Sequence, residues 1–458
     1  GGRNTIFFPT ALLMSPAFGA AMALQDKTTP LWVFWALAFL SGFGGGNFAS
    51  SMSNISSFFP KKNQGYALGM NAGLGNFGVT TMQILIPLVM TFALVGPLSG
   101  EPMVLSKNSG TIFKRVAAGS DTYLANAGWV WLIFLIPLAI LGFFKMNNIR
   151  TEKVSPNIKG ALVSFGRIAY LLSIGLVTSA IGLFLILKFK EQTWVKWLVI
   201  PMVAAGTLFL MRAISPGEVK GNLERQYKIF GNKHTWVMTI IYTMTFGSFI
   251  GFAAAVGLSI KFIFGVMHNV DLSGAEFIVE GTKNFVMLDG KRHLVRSCTE
   301  AKICEVQNLA GPVTYMYVWV GAFVGALIRP IGGMIADKTG GAIITQIVSI
   351  VMVVASIGVG YYAHLAYQSP APQEFFMPFF VLIVILFAAT GIGNGSTFRT
   401  ISIVFNEEQR GPVLGWTSAI AAYGAFLIPK IIGENMKSGT PEMAMYGFAA
   451  FYAICALL

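Results

Sequence analysis

About twelve apolar runs, each long enough to cross a lipid bilayer, follow one another along this sequence. A helix needs about 20 residues to span the hydrocarbon core, and only 11% of the residues are charged. The runs are continuous, whereas the strands of a membrane barrel alternate in segments of about ten residues. The sequence therefore predicts an all-α polytopic membrane protein with spans near 6–24, 31–59, 65–95, 127–146, 162–188, 196–213, 235–265, 313–335, 341–366, 375–405, 413–433 and 441–458.

The positive charge of the chain is spread over the connections between these runs. The formal net charge is +13, and short basic connections are typical of loops that face anionic lipid. No basic stripe remains that could bind nucleic acid, so the lipid bilayer is the expected partner. The sequence has no metal-ligand spacing, haem-attachment motif or nucleotide loop, and we expect neither an enzyme nor a metal or other cofactor.

Residues 42–78 combine glycine, serine, asparagine and phenylalanine within otherwise apolar sequence: GFGGGNFASSMSNISSFFPKKNQGYALGMNAGLGNFG. Glycine costs about 1 kcal/mol per helical position relative to alanine. Runs of glycine in membrane helices therefore indicate close backbone packing or the passage of a small solute. The segment predicts two closely packed helices beside a polar pathway.

An internal repeat relates two parts of the chain. The segment at 42–60, followed by a charged loop and a glycine-rich helix, is echoed by GIGNGSTFRTISIVF at 391–405, which has the same arrangement after it. In the second copy two more helices, near 235–265 and 313–335, come before the matching helix. The repeat leads us to expect two corresponding helices ahead of residue 1.

The spans at 162–188 and 196–213 have no counterpart elsewhere in the repeat. A design of six plus six helices leaves five spans between the two copies, and this sequence has two more. We therefore predict an N-terminal half at 1–146, a linker with two additional membrane helices at 147–234, and a C-terminal half at 235–458.

Two kinds of motif carry a resemblance to a known family. The tight loop GMIADKTGG at 333–341 resembles the loop pattern of the major facilitator superfamily. The glycine-rich segments at 42–60, 71–78 and 391–398 resemble the paired signatures of the nitrate/nitrite porter family, and the similarity covers nearly every helix except the surplus pair. The resemblance implies two halves of six helices that carry nitrate and nitrite by alternating access.

Arg329 is the first candidate for contact with such an anion. It lies inside the span 313–335, about 12 Å along the helix from Asp337. A guanidinium stays protonated and offers planar donors to planar oxyanions, and an arginine inside a membrane usually faces a pathway. The alternative is an arginine that snorkels to the membrane surface. The family places a substrate arginine at this point, and its partner would lie in a helix ahead of residue 1.

Aromatic side chains could supply flat walls for a planar anion. Tyr242 and Phe246 are spaced i, i+4 and share a helix face, and Phe48 lies in the first glycine signature. Aromatic residues of membrane helices more often pack against other helices or lipid. The match of the flanking residues to the family implies that all three contact substrate, and Tyr242 adds a hydroxyl donor.

Small polar residues and glycines complete the predicted pathway. We expect Asn76 and Ser396 to contact substrate because each lies beside glycines. Most of the other small polar residues of the pathway are expected to hydrogen-bond between helices; this set is Asn47, Ser50, Ser51, Asn71, Asn394 and Thr397. A set of glycines is expected to let the helices slide past each other during alternating access: Gly73, Gly75, Gly391, Gly393 and Gly395.

The coupling mode is predicted from the acidic residues. No Asp or Glu falls in the interior of a predicted span, and a proton-coupled carrier normally places a titratable group there. The sequence therefore favours antiport of nitrate against nitrite over nitrate/proton symport, although helices ahead of residue 1 could hold an acid. A non-transporting membrane sensor on the same scaffold is a further alternative, which the presence of both glycine signatures disfavours.

Orientation and surroundings follow mainly from the resemblance. The loops 96–126 and 266–312 are expected outside the cell, and the protein is expected to be a monomer in the inner (plasma) membrane. Cys298 and Cys304 in the second loop are either bonded to each other or free. Arg399, near the opposite end of its span, either snorkels or lines the pathway.

Overall fold

The computed structural model describes residues 2–105, 108–147, 158–189 and 192–458. Within these residues, eleven helices are long and apolar enough to cross a membrane. A shorter apolar helix, Pro441–Leu457, occupies the last predicted span. The prediction of an all-α polytopic membrane protein is confirmed, with the final span shorter than the others.

The N-terminal part contains four spans, and the first two are each built from two helices in series. The helices are α1 (Gly2–Leu12), α2 (Met14–Ala23), α3 (Leu31–Leu40), α4 (Phe43–Ile55), α5 (Gln64–Val89) and α6 (Asn126–Lys145). Pro60, which lacks an amide hydrogen, stands just before the 3₁₀ turn Lys61–Asn63 that leads into α5. The two glycine-rich helices of the first signature are therefore α4 and α5.

The surplus spans form a helical hairpin at the side of the N-terminal part. They are α7 (Ile158–Lys188) and α8 (Thr193–Ile214), and the short helix α9 (Gly217–Tyr227) follows them. The hydroxyls of Thr178 and Thr207 share a 2.7 Å hydrogen bond between α7 and α8. The rings of Phe8 and Phe165, whose centroids are 4.4 Å apart, join the hairpin to α1. The hairpin thus flanks the bundle.

The C-terminal part contains the remaining spans. Its first span has two π-helical segments, Thr243–Gly247 and Ile260–Phe264. Its α-helices are α10 (Lys233–Tyr242), α11 (Ser248–Ser259), α12 (Thr314–Leu327), α13 (Arg329–Thr339), α14 (Gly341–Gln368), α15 (Phe376–Val404), α16 (Glu407–Ala421), α17 (Gly424–Lys437) and α18 (Pro441–Leu457). Most of the buried core lies here, around large side chains such as Phe249, Phe387 and Tyr452.

Contacts between the two parts run along the glycine signatures. Helix α5 packs against α12, α13 and α15, and α4 packs against α16. The break between α12 and α13 falls at Ile328, so Arg329 and Pro330 form the first turn of α13. Proline is tolerated there because the first turn of a helix has no intrahelical partner for its amide hydrogen. The break places Arg329 where helices from both parts meet.

Strands were not predicted from the sequence, and the structure has them in the two long loops. Short pairs join β1 (Met103–Val104) to β4 (Asp121–Thr122) and β2 (Ser109–Gly110) to β3 (Arg115–Val116). The second loop adds β5 (Val266–Asp271), β6 (Phe277–Glu280), β7 (Lys283–Leu288), β8 (Lys291–Cys298) and β9 (Ile303–Gln307). They form a five-stranded antiparallel sheet in the order β5-β9-β8-β7-β6. Its strands are too short and too mixed in polarity to register as membrane spans.

The sheet also decides the state of two cysteines. Cys298 and Cys304 face each other across β8 and β9, and they form a disulfide. Val286 and Val306 are buried in the same small core. The disulfide therefore closes the end of one hairpin of this sheet.

Candidate anion-binding site

Arg329 is completely buried at the junction of α12 and α13. Its Nη1 donates a 3.2 Å hydrogen bond to the carbonyl oxygen of Ala72 on α5. The Nε and Nη2 atoms are buried without a hydrogen-bond partner. An unpaired buried donor costs about 1–3 kcal/mol, and more when it is charged. The site therefore has strong unused donor capacity, which a planar oxyanion could satisfy in the bidentate geometry that guanidinium favours.

Glycines allow α5 and α15 to approach Arg329 this closely. A methyl group at Gly73 would lie 2.7 Å from the Ala326 carbonyl, and one at Gly395 would lie 2.5 Å from the Arg329 carbonyl. Real Cβ atoms do not come so near to backbone atoms, so alanine at either position would push the helices apart. Gly391 and Gly393 are packed just as tightly, against Gly325 and Thr245.

Aromatic rings surround the guanidinium. The Arg329 Cζ atom lies 4.0 Å from the ring centroid of Phe249 and 5.7 Å from that of Phe246. Both distances are within the range of cation–π attraction. Tyr242 stacks on Phe246 with centroids 5.4 Å apart. The predicted residues Arg329, Tyr242 and Phe246 are thus brought together, and Phe249 joins them.

The predicted flat slot is closed in this structure. Phe48 of α4 stacks directly on Phe246, with centroids 4.8 Å apart and ring planes inclined by 13°. A planar anion between two rings needs a separation of about 7 Å, twice the usual contact distance between atoms. The two rings therefore contact each other across the N-terminal and C-terminal parts, and an anion could enter between them only after they separate.

A cavity of about 400 Å³, with apolar walls and several polar side chains, lies beside the aromatic pair. Phe48, Phe246, Asn76 and Gly75 line it. Asn76 donates a 2.8 Å hydrogen bond to the same Ala72 carbonyl that Arg329 contacts. Phe246 and this shared carbonyl thus connect the cavity to the buried cation. Asn47, Ser51 and Asn71 contribute the remaining polar groups of the lining.

Two predicted residues have other positions than expected. The Ser396 hydroxyl is engaged with Thr345 at 2.7 Å and with the Gly393 carbonyl at 3.0 Å, and Ser396 does not border the cavity. Its side of α15 faces α14, so its contact is between helices. A methyl group at Gly75 would meet no atom within 4 Å; this glycine borders the cavity and does not form a close helix contact.

Sequence reasoning gave too little weight to Asn394 and did not consider Ser418. Both are buried next to the hydroxyl of Tyr242. None of the polar side-chain atoms of the three residues has a partner in hydrogen-bond geometry. Asn394 belongs to the set of small polar residues most of which were expected to bond between helices; it lies near Tyr242 of α10 but not in hydrogen-bond geometry with it. The available signal was a carboxamide in the middle of an apolar span, and the sequence alone could not show which way it faces.

Polar side chains join the two parts at one end of the bundle. Asp337 and Arg399 form an ion pair with 3.4 Å between carboxylate and guanidinium, and Arg399 also donates to the Lys61 carbonyl. Ser402 donates a 2.6 Å hydrogen bond to Gln64 Oε1. These contacts join the two parts at the end opposite the five-stranded sheet. Arg399 therefore takes part in a closed inter-helix contact in this conformation.

The described residues contain no cluster of three or more His, Cys, Asp or Glu side chains that could hold a metal ion. The site consists of a buried cation, neutral donors and aromatic rings. Such a set suits a small anion. The guanidinium can only donate hydrogen bonds, and the carboxamide and hydroxyl groups can donate as well as accept.

Comparison with known proteins gives a consistent result. No family model matches the chain. The probable nitrate/nitrite antiporter NarK2 of Thermus thermophilus is 31% identical over 454 residues, covering 99% of this chain and 75% of that protein. The nitrate/nitrite transporters NarU of Escherichia coli K12 and Salmonella typhimurium are 28% and 29% identical, each over 100% of this chain and 76% of theirs.

Solved structures are more distant. The human organic anion transporter MFSD10 overlays with a TM-score of 0.46 at 10% identity, covering 100% of this chain and 79% of that chain, a similarity too low to support an argument. The similarity to NarK2 exceeds 30% identity and covers three quarters of that protein. The chain therefore belongs to the nitrate/nitrite porter family of the major facilitator superfamily.

Proposed function

We propose that this protein carries nitrate and nitrite across the membrane by alternating access. The observation that carries the proposal is the fully buried Arg329, whose Nε and Nη2 have no partner. Both anions are small, planar and singly charged, and their oxygens match the planar donors of a guanidinium. The names of the relatives, which are nitrate/nitrite transporters, support the same substrates.

The anion would bind where Arg329, Tyr242 and Phe246 meet. Arg329 supplies the charge and two donors, the Tyr242 hydroxyl supplies a third donor, and the rings of Phe246 and Phe48 provide flat surfaces after they separate. Asn76 would contact the anion on the cavity side, because it lines the cavity and touches the Ala72 carbonyl beside Arg329. Ser396 is the weakest of the predicted contacts, since its hydroxyl is already engaged.

Antiport of nitrate against nitrite is the favoured coupling mode. In an exchanger, the bound anion compensates the buried cation during each crossing, and the empty carrier is disfavoured by the uncompensated charge. Asp337 lies in the last turn of α13, about two turns from Arg329, and Glu442 lies in the first turn of α18. Nitrate/proton symport is the second candidate, and a membrane sensor is the third; a sensor would bind the anions without net movement.

The wider assignment follows from the family. We propose the inner (plasma) membrane as the location, a monomer as the working unit, and the division into 1–146, 147–234 and 235–458. The apolar surplus hairpin would lie in lipid at the side of the first part, where Trp197 and Phe209 are exposed.

Counterflow tests the proposal. The full-length protein is placed in proteoliposomes loaded with nitrite, and uptake of isotopically labelled nitrate is followed. Antiport predicts uptake that depends on internal nitrite and does not need a pH gradient. Uptake driven by a pH gradient into empty vesicles would instead establish symport. Anion binding without uptake under either condition would support the sensor, and a lack of binding would refute the substrate assignment.

A further inference from the structure

Asn394 has an unusual environment for a buried carboxamide. It is fully buried in the middle of α15, yet neither its Nδ2 nor its Oδ1 has a hydrogen-bond partner. Leaving a buried polar group unpaired costs about 1–3 kcal/mol. A leucine side chain would fill a similar volume without this cost, so packing alone does not explain a carboxamide at this position. The residue therefore needs a role that involves its polar atoms.

Two observations place Asn394 beside the Tyr242 hydroxyl. The hydroxyl lies close to the side chains of Asn394 and Ser418, although none of these groups is in hydrogen-bond geometry with another. Phe398, which is four residues after Asn394 and on the same helix face, has its ring centroid 5.2 Å from that of Tyr242. This face of α15 is thus turned toward Tyr242, whereas Ser396 is turned toward Thr345.

The protons around this hydroxyl can be counted. A tyrosine hydroxyl has one proton to donate and can also accept, and a carboxamide has two protons on Nδ2 and accepts at Oδ1. Arg329 has only donors, so it cannot accept the proton of Tyr242. The nearby Ala72 carbonyl already accepts from both Arg329 and Asn76. Among the side chains near the hydroxyl, Asn394 Oδ1 and Ser418 Oγ can accept the tyrosine proton, and so can a bound anion.

We propose that Asn394 is a positioning residue that directs the Tyr242 proton toward the bound anion. Nδ2 donates to Tyr242 Oη, and Oδ1 accepts the proton of Ser418. Nδ2 then presents a donor, not an acceptor, to the tyrosine oxygen, and an anion is a stronger acceptor than the neutral Ser418 hydroxyl, so the tyrosine hydroxyl donates to the anion. This orientation also turns the negative end of the carboxamide dipole away from the anion. The inference depends on the proposed function, because it assigns the arrangement of donors in the same site.

The test measures equilibrium binding of nitrate to the purified full-length protein by isothermal titration calorimetry. Asn394→Leu should weaken binding about tenfold, which corresponds to the loss of about 1.4 kcal/mol. Asn394→Asp should weaken it at least about a hundredfold, since the carboxylate takes the tyrosine proton and repels the anion. Thr390→Val, on the same helix, should leave affinity unchanged, because the Thr390 hydroxyl bonds within its own helix.

A double-mutant cycle separates positioning from a structural role. In a Tyr242→Phe background, Asn394→Leu should add less than about a twofold loss, since the hydroxyl through which Asn394 acts is gone. Equal losses in both backgrounds would overturn the proposal, and so would unchanged affinity of Asn394→Leu. Thermal unfolding of each variant without nitrate identifies a folding defect, which would appear as a lower melting temperature than that of the unchanged protein. If the leucine variant does not fold, Asn394→Ser, which keeps one donor, should bind within about threefold of the unchanged protein, and a tenfold loss would refute the inference.

The failure of this inference is distinguishable from failure of the proposed function. If the unchanged protein binds nitrate and Arg329→Lys loses it, the site stands whatever Asn394 does. If the unchanged protein binds neither nitrate nor nitrite, the proposed function is wrong, and the double-mutant cycle has no reference affinity.

Discussion

Asp337 and Tyr66 join the two parts of the bundle through a 2.9 Å hydrogen bond from the Tyr66 amide to Asp337 Oδ2. The amide of Gly65 donates to the other carboxylate oxygen at 3.0 Å. Both amides belong to the first turn of α5, where the helix dipole favours a negative charge. The last turn of α13 therefore holds the start of α5, and the contact closes one end of the bundle.

Asp337→Asn should weaken this closure. A hydrogen bond to a charged group contributes about 1.5–3 kcal/mol, so the open population at this end should rise about tenfold or more. Spin labels at Lys62 and Glu408, both exposed near this end, would report longer distances by double electron–electron resonance. Asp121→Asn, an exposed change in another loop, should leave the distances unchanged; the same distances in Asp337→Asn would show that the carboxylate does not hold the closed state.

Arg329→Lys should weaken nitrate uptake severely while the protein still inserts into the membrane. Lysine keeps the charge but loses the planar fork, and a lost charge-assisted contact of about 1.5–3 kcal/mol corresponds to roughly ten- to hundredfold weaker affinity. Uptake by proteoliposomes provides the measurement. Arg212→Lys, on the exposed surface of the surplus hairpin, serves as the control. Near-normal affinity in Arg329→Lys would remove Arg329 from the site.

Phe246→Ala should relax the discrimination against tetrahedral anions. Phe246 contacts Phe48, Tyr242 and the Arg329 guanidinium, so its removal widens the site on the side where shape distinguishes planar from tetrahedral anions. Inhibition of nitrate uptake by perchlorate and sulfate should become stronger. The control is Phe209→Ala on the exposed face of α8. An unchanged inhibition profile would mean that Phe246 only packs between helices.

Gly73→Ala and Gly75→Ala should differ in stability although the two positions share a helix. The new methyl group at position 73 meets the Ala326 carbonyl at 2.7 Å, whereas the one at position 75 meets no atom within 4 Å. Overpacking costs about 1–3 kcal/mol, while alanine in an open helical position gains up to about 1 kcal/mol. The melting temperature in detergent should therefore fall for Gly73→Ala only. Equal melting temperatures would contradict the close contact of α5 with α12.

Cysteine labelling tests the orientation of the chain. Asn108 lies in the first long loop, and Asn222 lies on α9. Three predicted membrane spans lie between the two positions, and an odd number of crossings puts two positions on opposite sides of the membrane. Single cysteines at these positions should therefore react with an impermeant thiol reagent from opposite sides. The free Cys455 is buried and should react slowly in both proteins. Labelling of both positions from the same side would refute the topology.

The sequence by itself determined the membrane architecture. An apolar run of about 20 residues has few alternatives to a membrane helix, because the bilayer forces the backbone to satisfy its own hydrogen bonds. The same reasoning singled out Arg329, since a charge inside such a run is costly and rarely accidental. The five-stranded sheet was missed because its short strands lie outside the membrane, where length and hydropathy impose no comparable constraint.

Only the tertiary structure decided which face of each helix carries the site. Asn394 and Ser396 are two residues apart on α15, yet one is unpaired beside Tyr242 and the other is bonded to Thr345. The rotation of α15 about its axis separates these roles, and close contacts with α12 at Gly391 and with α13 at Gly395 fix that rotation. The stacking of Phe48 on Phe246 likewise depends on how the two parts approach each other. Both features arise from contacts between residues far apart in the chain, which local sequence pattern does not encode.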